Sequence, residues 1–445
     1  MFKDFARTNT QTLQYFIRWM VVTVPMAVCI GSMVALFLWL LSWAIHYRFA
    51  HPWLLYLLPL AGVAIHFLYK SYGQSAERGN NLIIDEIHEP GAGVPKRMAP
   101  LILITTVITH LFGGSAGREG TAVQIGGSIA HWFGGLLKLS PADMRLLLTA
   151  GVAAGFGAVF GTPLAGTIFA MEVITIGRIQ YSALLPCLIA GLIGDATVAA
   201  WGVEHTHYHI HFITTGQPVF GHHVAVDFWL LVKTIVASAF FGLAAYAFAK
   251  AVHGVKEIVA SLIKKSWLIP VAGGIAIIIL TFILGKPDYL SLGVDAEYSG
   301  AVTIVSAFEH GGAHFFSWLW KLIYTTITLG TGFKGGEVTP LFYIGATLGN
   351  TLAGIMNAPV SLFAALGFIA VFAGATNTPL ACTIMGVELF GSEHALLFAV
   401  ACFTAYFFSG DTGIYSAQRA EGSKYMVDNI PDYWSRMWGK YKRKS

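Results

Sequence analysis

The sequence contains few charged residues. Only 11% of its 445 residues are Asp, Glu, Lys or Arg, whereas 56% are hydrophobic. This composition leaves too little polar surface to cover a soluble globule of that length. It excludes an ordinary water-soluble fold and predicts a chain embedded in lipid.

Cysteine is also scarce, and its pattern excludes two classes of protein. The four cysteines lie in apolar segments without any CxxC spacing, at Cys29, Cys187, Cys382 and Cys402. This pattern fits neither the disulfide framework of a small secreted domain nor a cysteine-based zinc site. We expect four packed thiols.

Two long runs contain no charged residue, at 19–47 and 338–387. A spanning helix needs about 20 apolar residues, so the first run predicts one pass and the second run two. Other uncharged stretches are short or rich in glycine. Because unpaired backbone groups are not tolerated in lipid, these stretches predict tilted, broken or re-entrant helices shielded by protein.

Basic residues lie near both ends of the chain. Lys3, Arg7 and Arg18 precede or begin the first apolar run. The last ten residues carry Arg436, Lys440, Lys442, Arg443 and Lys444. The positive-inside rule therefore predicts that both termini lie in the cytoplasm. Together with the apolar runs, we expect a multi-pass protein of the bacterial inner membrane.

One motif occurs twice, half a chain apart. Residues 161–168 (GTPLAGTI) are followed by Glu172, and residues 377–384 (NTPLACTI) are followed by Glu388. A second pair recurs at nearly the same offset, because 117–128 (GREGTAVQIGGS) aligns with residues 336–347 (GEVTPLFYIGAT). Two copies of one membrane unit predict a transporter whose site lies at their interface.

The repeats divide the chain into five expected parts. These are a cytoplasmic N-terminal segment (1–16), a first membrane repeat (17–202), a connecting loop that contains histidines (203–227), a second membrane repeat (228–417) and a basic cytoplasmic tail (418–445). Both repeated motifs place glycine-rich backbone at predicted helix starts, where unpaired N–H groups and the positive end of the helix dipole attract anions. The repeats therefore favour an anion as the substrate.

Three motifs carry a resemblance to a known family. Residues 79–83 (GNNLI), 117–121 (GREGT) and 336–340 (GEVTP) are similar to the three anion-binding signatures of the CLC family, and the resemblance extends from about residue 17 to about residue 417. It implies an all-α polytopic membrane protein with two inverted-topology repeats that contain broken and re-entrant helices. It also implies a homodimer with one pore per subunit. No cofactor, metal or nucleic-acid partner is expected.

Departures from the common signatures resemble the fluoride branch of that family. Asn80 stands where chloride-type members carry Ser, Thr121 replaces Pro, and Val338 replaces Phe. Val173 stands where proton-coupled chloride members have a second Glu after the one that matches Glu172. The resemblance therefore implies fluoride/proton exchange that exports fluoride. A chloride/proton antiporter and an uncoupled anion channel of the same fold remain alternatives.

The resemblance also assigns roles to individual residues. Glu119 would be the gate, whose ionised side chain competes with the anion and whose protonated side chain carries H⁺. Glu337 would handle the proton and donate to fluoride, because burial among apolar groups favours its protonated form. The anion would be bound by Asn80, Gly117, Arg118, Gly120, Val338, Thr339 and Tyr415.

Several of these residues also allow structural interpretations. Glu119 could cap a helix, Glu337 could pair with Lys334, and Arg118 could form an ordinary ion pair. For Glu172 we favour a structural role as a packing carboxylate at a helix end.

The connecting loop contains His205, His207, His209 and His211, followed by His222 and His223. Alternate histidines would share one face of an extended segment and could bind a metal. We interpret the run as a solvated loop, because no acidic cluster accompanies it. A metal-cation transporter or an intramembrane metalloenzyme is the alternative from a different class. The sequence contains no HExxH motif and no nucleotide-binding loop, so an enzyme is not expected.

Overall fold

The computed structural model describes residues 2–213, 227–420 and 424, with side chains from Thr10 onward. Eight α-helices precede the gap: α1 (Phe2–Ala50), α2 (Leu58–Leu68), α3 (Asn80–His88), α4 (Met98–Leu111), α5 (Glu119–Leu136), α6 (Pro141–Phe160), α7 (Pro163–Glu172) and α8 (Leu184–Ala200). Seven follow it: α9 (Phe228–Leu262), α10 (Leu268–Leu284), α11 (Ser317–Gly330), α12 (Val338–Met356), α13 (Val360–Thr376), α14 (Pro379–Phe390) and α15 (Ala395–Phe408). Two short parallel strands pair with each other, β1 (Thr175–Ile176) and β2 (Arg419–Ala420).

Within the described residues, five helical segments are long and apolar enough to cross a membrane. They are Thr10–Ala50, Pro52–Arg78, Pro141–Phe160, Tyr181–Ala200 and Phe228–Leu262. Other apolar helices, such as α4 and α13, have only 10–17 residues. The broken helices predicted from the sequence are therefore present. The uncharged run at 338–387 forms α12, α13 and most of α14 rather than two simple passes.

The duplicated TP motif is a helix break in both repeats. Gly161 ends α6 with a φ of 71°, and Asn377 ends α13 with a φ of 59°, both in the left-handed region that glycine and asparagine tolerate. A proline then begins the next helix at Pro163 or Pro379, where its missing N–H costs nothing. The sequence repeat thus encodes one sharp turn twice.

The core is centred on two helices, one in each repeat: α13 is buried along its whole length, and α6 is buried from Leu147 onward. α6 packs between α5 and α8, and α13 packs between α12, α9 and α15. Gly345 lies against the backbone of Gly367, where an added Cβ would be 2.0 Å from the Gly367 carbonyl oxygen. Such backbone contact is typical of membrane helices, which associate through small residues.

Three expectations about parts of the chain need correction or stay open. Cys187, Cys382 and Cys402 are buried as expected, but Cys29 is exposed on α1 because its side chain faces away from the core. The basic residues of the tail from Arg436 onward lie outside the described residues. The repeat boundaries stay a prediction; in the structure α8 ends at Ala200 and α9 begins at Phe228.

Candidate anion site between the two repeats

The two repeats meet at a pair of glycines. The Gly117 amide donates to the Gly336 carbonyl at 2.6 Å, and the Gly336 amide donates to the Gly117 carbonyl at 2.7 Å. This antiparallel bridge fixes the two signature loops against each other. Immediately after it, α5 begins at Glu119 and α12 begins at Val338. The unpaired N–H groups of two helix starts therefore converge on one place.

The Glu119 carboxylate fills that place. Its side chain is fully buried, and its Oε2 accepts from the backbone N–H groups of Arg118 at 3.1 Å and Thr339 at 3.0 Å. Its Oε1 accepts from the Thr339 hydroxyl. The carboxylate oxygens thus stand where an anion would be held by helix N-termini and a hydroxyl. Arg118 adds positive charge, with its Nε 3.6 Å from Oε1.

We call the Glu119 carboxylate and the groups that donate to it the carboxylate nest. A cavity of about 170 Å³ lies beside this nest and is lined by residues that include Asn80, Glu337 and Tyr415. Asn80 opens α3 directly after Gly79, whose φ of 57° turns the chain into the helix. The Asn80 Oδ1 is buried and has no hydrogen-bond partner within the described residues. The Asn80 side chain lines the cavity, and its Nδ2 donor lies on the side of Gly120. We call this space the inner cavity.

Gly120 brings the inner cavity and the carboxylate nest together. A Cβ at Gly120 would lie 3.0 Å from Asn80 Nδ2, 3.1 Å from Gly336 Cα and 3.7 Å from Glu337 Oε2. A larger residue would push these groups apart. All nine residues selected from the sequence thus lie around the meeting point of the repeats, and Val338 is the buried first residue of α12.

Glu337 is half-buried and does not pair with Lys334 in the part of the chain that the structure describes. The Lys334 ammonium instead lies 4.2 Å from the centre of the Tyr69 ring. The pairing that we held open for Glu337 is therefore absent. Its carboxyl faces the inner cavity instead.

The family model described as voltage gated chloride channel matches residues 61–410. This chain belongs to the CLC family. The family and the all-α fold predicted from the sequence are thus confirmed.

Two relatives of this CLC chain are especially informative. The "Chloride/fluoride channel protein" of Pseudomonas syringae pv. tomato is 48% identical over 414 residues, which cover 93% of this chain and 89% of the relative. The crystal structure of a CLC-type fluoride/proton antiporter is 33% identical, with a TM-score of 0.82 over 91% of this chain and 98% of that one. A slow cyanobacterial Cl⁻/H⁺ antiporter matches with 20% identity and a TM-score of 0.72 over 89% of this chain and 96% of that one, and it supports the fold alone.

Several residues that support the CLC site were missed in the sequence. Asn81 accepts from the Ala417 backbone N–H at 3.0 Å and so anchors the segment that carries Tyr415. The Thr121 hydroxyl bonds to the Thr106 hydroxyl at 2.8 Å, which gives a partner to the residue that replaces proline. Asn81 could have been found, because it adjoins Asn80 in the same motif. Thr106 carried no such signal.

Two further carboxylates of this CLC chain cap helices across the repeat interface. Glu172 accepts from the N–H groups of Leu380 at 3.1 Å and Ala381 at 2.8 Å, at the start of α14. Glu388 does the same at the start of α7, where Leu164 N lies at 2.9 Å and Ala165 N at 2.7 Å. The structural role expected for Glu172 is confirmed. The matching role of Glu388 followed from the repeat but was not predicted.

Replacing Glu172 by Ala should destabilise the protein without changing its transport coupling. The change leaves two N–H groups of α14 without an acceptor, and each unsatisfied buried group costs about 1–3 kcal/mol. We expect a lower unfolding temperature in detergent, measured by size-exclusion chromatography after heating. Unchanged thermal stability together with lost proton coupling would instead give Glu172 a role in transport.

The histidine segment at 201–213 is only partly a solvated loop. His207, His209 and His211 are exposed, as alternation on an extended segment predicts. The residues between them pack against the core, and Tyr208 stacks on Phe308 with ring centres 5.6 Å apart. The apolar side chains alternate with the histidines and face the protein, so they hold the segment against the core. His222 and His223 lie outside the described residues.

Proposed function

We propose that this protein exchanges fluoride for protons across a bacterial inner membrane and thereby exports fluoride. The observation that carries the proposal is the fully buried Glu119 carboxylate, which occupies the donors of two converging helix starts. A second carboxyl, Glu337, faces the inner cavity on the other side of that nest. The names of the two relatives described above, a chloride/fluoride channel protein and a fluoride/proton antiporter, support the same substrate.

Exchange follows from competition for one set of donors. Ionised Glu119 occupies the N–H group of Thr339 and its hydroxyl, so an anion cannot bind there. A proton neutralises the carboxyl, weakens its charge-assisted hydrogen bonds and lets it leave. The anion then takes its place. One proton and one anion therefore use the same site in turn and in opposite directions.

The donors around the site suit fluoride. Fluoride is small and strongly hydrated, so only several well-aimed donors can offset its dehydration. The site offers the Asn80 amide, the Thr339 hydroxyl and, when protonated, the Glu337 carboxyl. Glu337 can approach the anion because its negative charge disappears on protonation. The same carboxyl then passes its proton towards the inner cavity.

Coupling makes export more effective. If one F⁻ leaves as one H⁺ enters, two charges move favourably, which is worth about 4.6 kcal/mol at about 100 mV inside negative. This free energy supports a fluoride gradient of about three decades. A passive pore moves only one charge, so it supports a fluoride gradient of about half as many decades.

The orientation and assembly are part of the proposal. Basic residues near both ends of the sequence favour cytoplasmic termini. The connecting segment would then face the outside of the cell, and the inner cavity would face the cytoplasm. Following the family resemblance, we propose a homodimer in which each subunit carries its own site.

An uncoupled fluoride channel is the second candidate, because the Pseudomonas syringae relative is named a channel protein. Purified protein in liposomes separates the two. Vesicles loaded with fluoride at equal pH inside and outside should take up protons as fluoride leaves, and the uptake should persist against a modest opposing pH gradient. Fluoride efflux without proton uptake would exclude exchange and support the uncoupled channel.

Replacing Asn80 by Ser should reduce discrimination between fluoride and chloride. The change exchanges an amide donor beside Gly120 for a shorter hydroxyl. The shorter Ser side chain withdraws this donor from the site, so we expect the ratio of fluoride to chloride efflux to fall by about tenfold, which equals one lost hydrogen bond of about 1.4 kcal/mol. Ion-selective electrodes measure both rates on the same vesicles. An unchanged ratio would place selectivity elsewhere.

A further inference from the structure

A second cavity lies next to the inner cavity and is larger. Its volume is about 420 Å³, and its lining includes Lys70, Lys256, Lys334, His66, Ser266 and Glu77. The two cavities share Glu77, Lys256 and Lys334. We call the larger space the lysine cavity. It is separate from the donors that hold Glu119.

The charges in the lysine cavity are unbalanced. Three ammonium groups face one carboxylate, and within the described residues none of the three lysines forms an ion pair. Lys70 and Lys334 lie over aromatic rings, 6.0 Å from the centre of Phe67 and 4.2 Å from the centre of Tyr69. These ring contacts leave the ammonium N–H groups free to donate. A cleft lined by one sign of charge concentrates ions of the other sign.

The three lysines come from separate parts of the fold. Lys70 follows α2 in a single π-helical turn (Tyr69–Gly73), Lys256 lies near the end of α9, and Lys334 lies in the loop between α11 and α12. Their convergence is therefore a tertiary feature that brings the two repeats together. A single fluoride ion is too small to bridge charges around 420 Å³. An anion with several oxygens can contact all of them.

We propose that the lysine cavity binds a phosphate-bearing anion and that the bound anion slows transport. Ammonium groups bind phosphate oxygens as point charges. The occupant would draw on Lys256 and Lys334, which also line the inner cavity, and so would oppose the entry of a transported anion. The proposal rests on the proposed transport function for its consequence, but not for the binding itself.

Calorimetry of full-length purified protein in detergent, at low ionic strength, tests the binding with inorganic pyrophosphate. We expect saturable binding that Lys70→Gln weakens by about tenfold, because one of three ammonium contacts is lost. Lys264→Gln is the matched control, since it removes the same charge from the exposed segment between α9 and α10 and does not line the cavity. If both changes weakened pyrophosphate binding equally, the attraction would be diffuse, and the proposed site would be wrong.

Flux measurements distinguish a soluble phosphate from a lipid headgroup. In phosphatidylcholine vesicles, external pyrophosphate should inhibit the molecules whose inner cavity faces outward, and Lys70→Gln should relieve the inhibition. If a headgroup is the natural occupant, adding phosphatidylglycerol should slow the wild type more than Lys70→Gln. Basal transport of Lys70→Gln should be normal, because Lys70 does not line the inner cavity. Absence of pyrophosphate binding, together with equal rates in both lipids, would overturn the proposal. If the protein did not transport fluoride, the proposed function would be wrong, but the calorimetry would still test the binding of pyrophosphate.

Discussion

Replacing Glu119 by Gln is expected to abolish proton coupling while fluoride still crosses. Gln is nearly isosteric, but it cannot lose or gain a proton at neutral pH. It also lacks the negative charge that makes the carboxylate a competitor for the donors at Arg118 and Thr339. Proton uptake by vesicles should therefore fall to background, and fluoride efflux should continue without it.

The matched control for Glu119→Gln is Glu388→Gln. Both changes neutralise a carboxylate that accepts two backbone N–H groups, from two helix starts for Glu119 and from one for Glu388. Only Glu119 lies where the two signature loops meet, so Glu388→Gln should keep coupling. Uphill proton movement by Glu119→Gln under a fluoride gradient would exclude Glu119 as the exchanged carboxyl.

Replacing Glu337 by Gln is expected to give a folded protein that loses fluoride-driven proton movement. Val173 stands where the family resemblance would place a second inner carboxyl. Glu337 is the inner-cavity carboxyl whose Oε2 lies close to Gly120 and Asn80. Removing a positioned proton-transfer group costs on the order of 100-fold or more in rate. We expect proton flux to fall by at least that factor, measured beside a size-exclusion profile that reports folding.

A double variant separates this role from a structural one. If Glu337 only neutralised Lys334, the change Glu337→Gln with Lys334→Met would restore transport by removing the unpaired charge. Lys334 lies on the Tyr69 ring instead, so we expect no rescue. Recovery of proton flux in the double variant, or wild-type flux in the single one, would contradict the shuttle role.

Sequence repeats predicted much of the fold because they encode local geometry. Gly161 and Asn377 can adopt the left-handed conformation that ends a helix, and the prolines that follow begin the next one. Contacts that depend on distant segments left no such trace. The buried Lys321 ammonium, for example, donates to the carbonyls of Tyr289 at 3.2 Å and Ser291 at 2.7 Å, which belong to a separate loop.

The place of the candidate residues in the fold was predictable to the same extent. Glu119 stood out as a carboxyl at a helix start in an otherwise apolar segment, whereas Asn80 and Glu337 were selected from their places in the motifs that resemble CLC signatures. The Gly117 to Gly336 bridge that joins the repeats could not be derived from either motif alone, because it depends on how the two halves pack. The partial packing of the histidine segment was missed for a different reason. Its apolar residues at even positions predict packing against the protein, but the prediction of a solvated loop rested on the histidines alone.

The most direct test of fluoride/proton exchange is the voltage at which fluoride flux stops in vesicles with a fixed fluoride gradient. With one F⁻ exchanged for one H⁺, each unit of pH gradient should shift this null voltage by about 30 mV, half of the roughly 59 mV that a tenfold gradient is worth for a single charge. Such a shift, lost in Glu119→Gln, is the predicted result. A null voltage that stays at the fluoride equilibrium potential at every pH gradient would contradict the account.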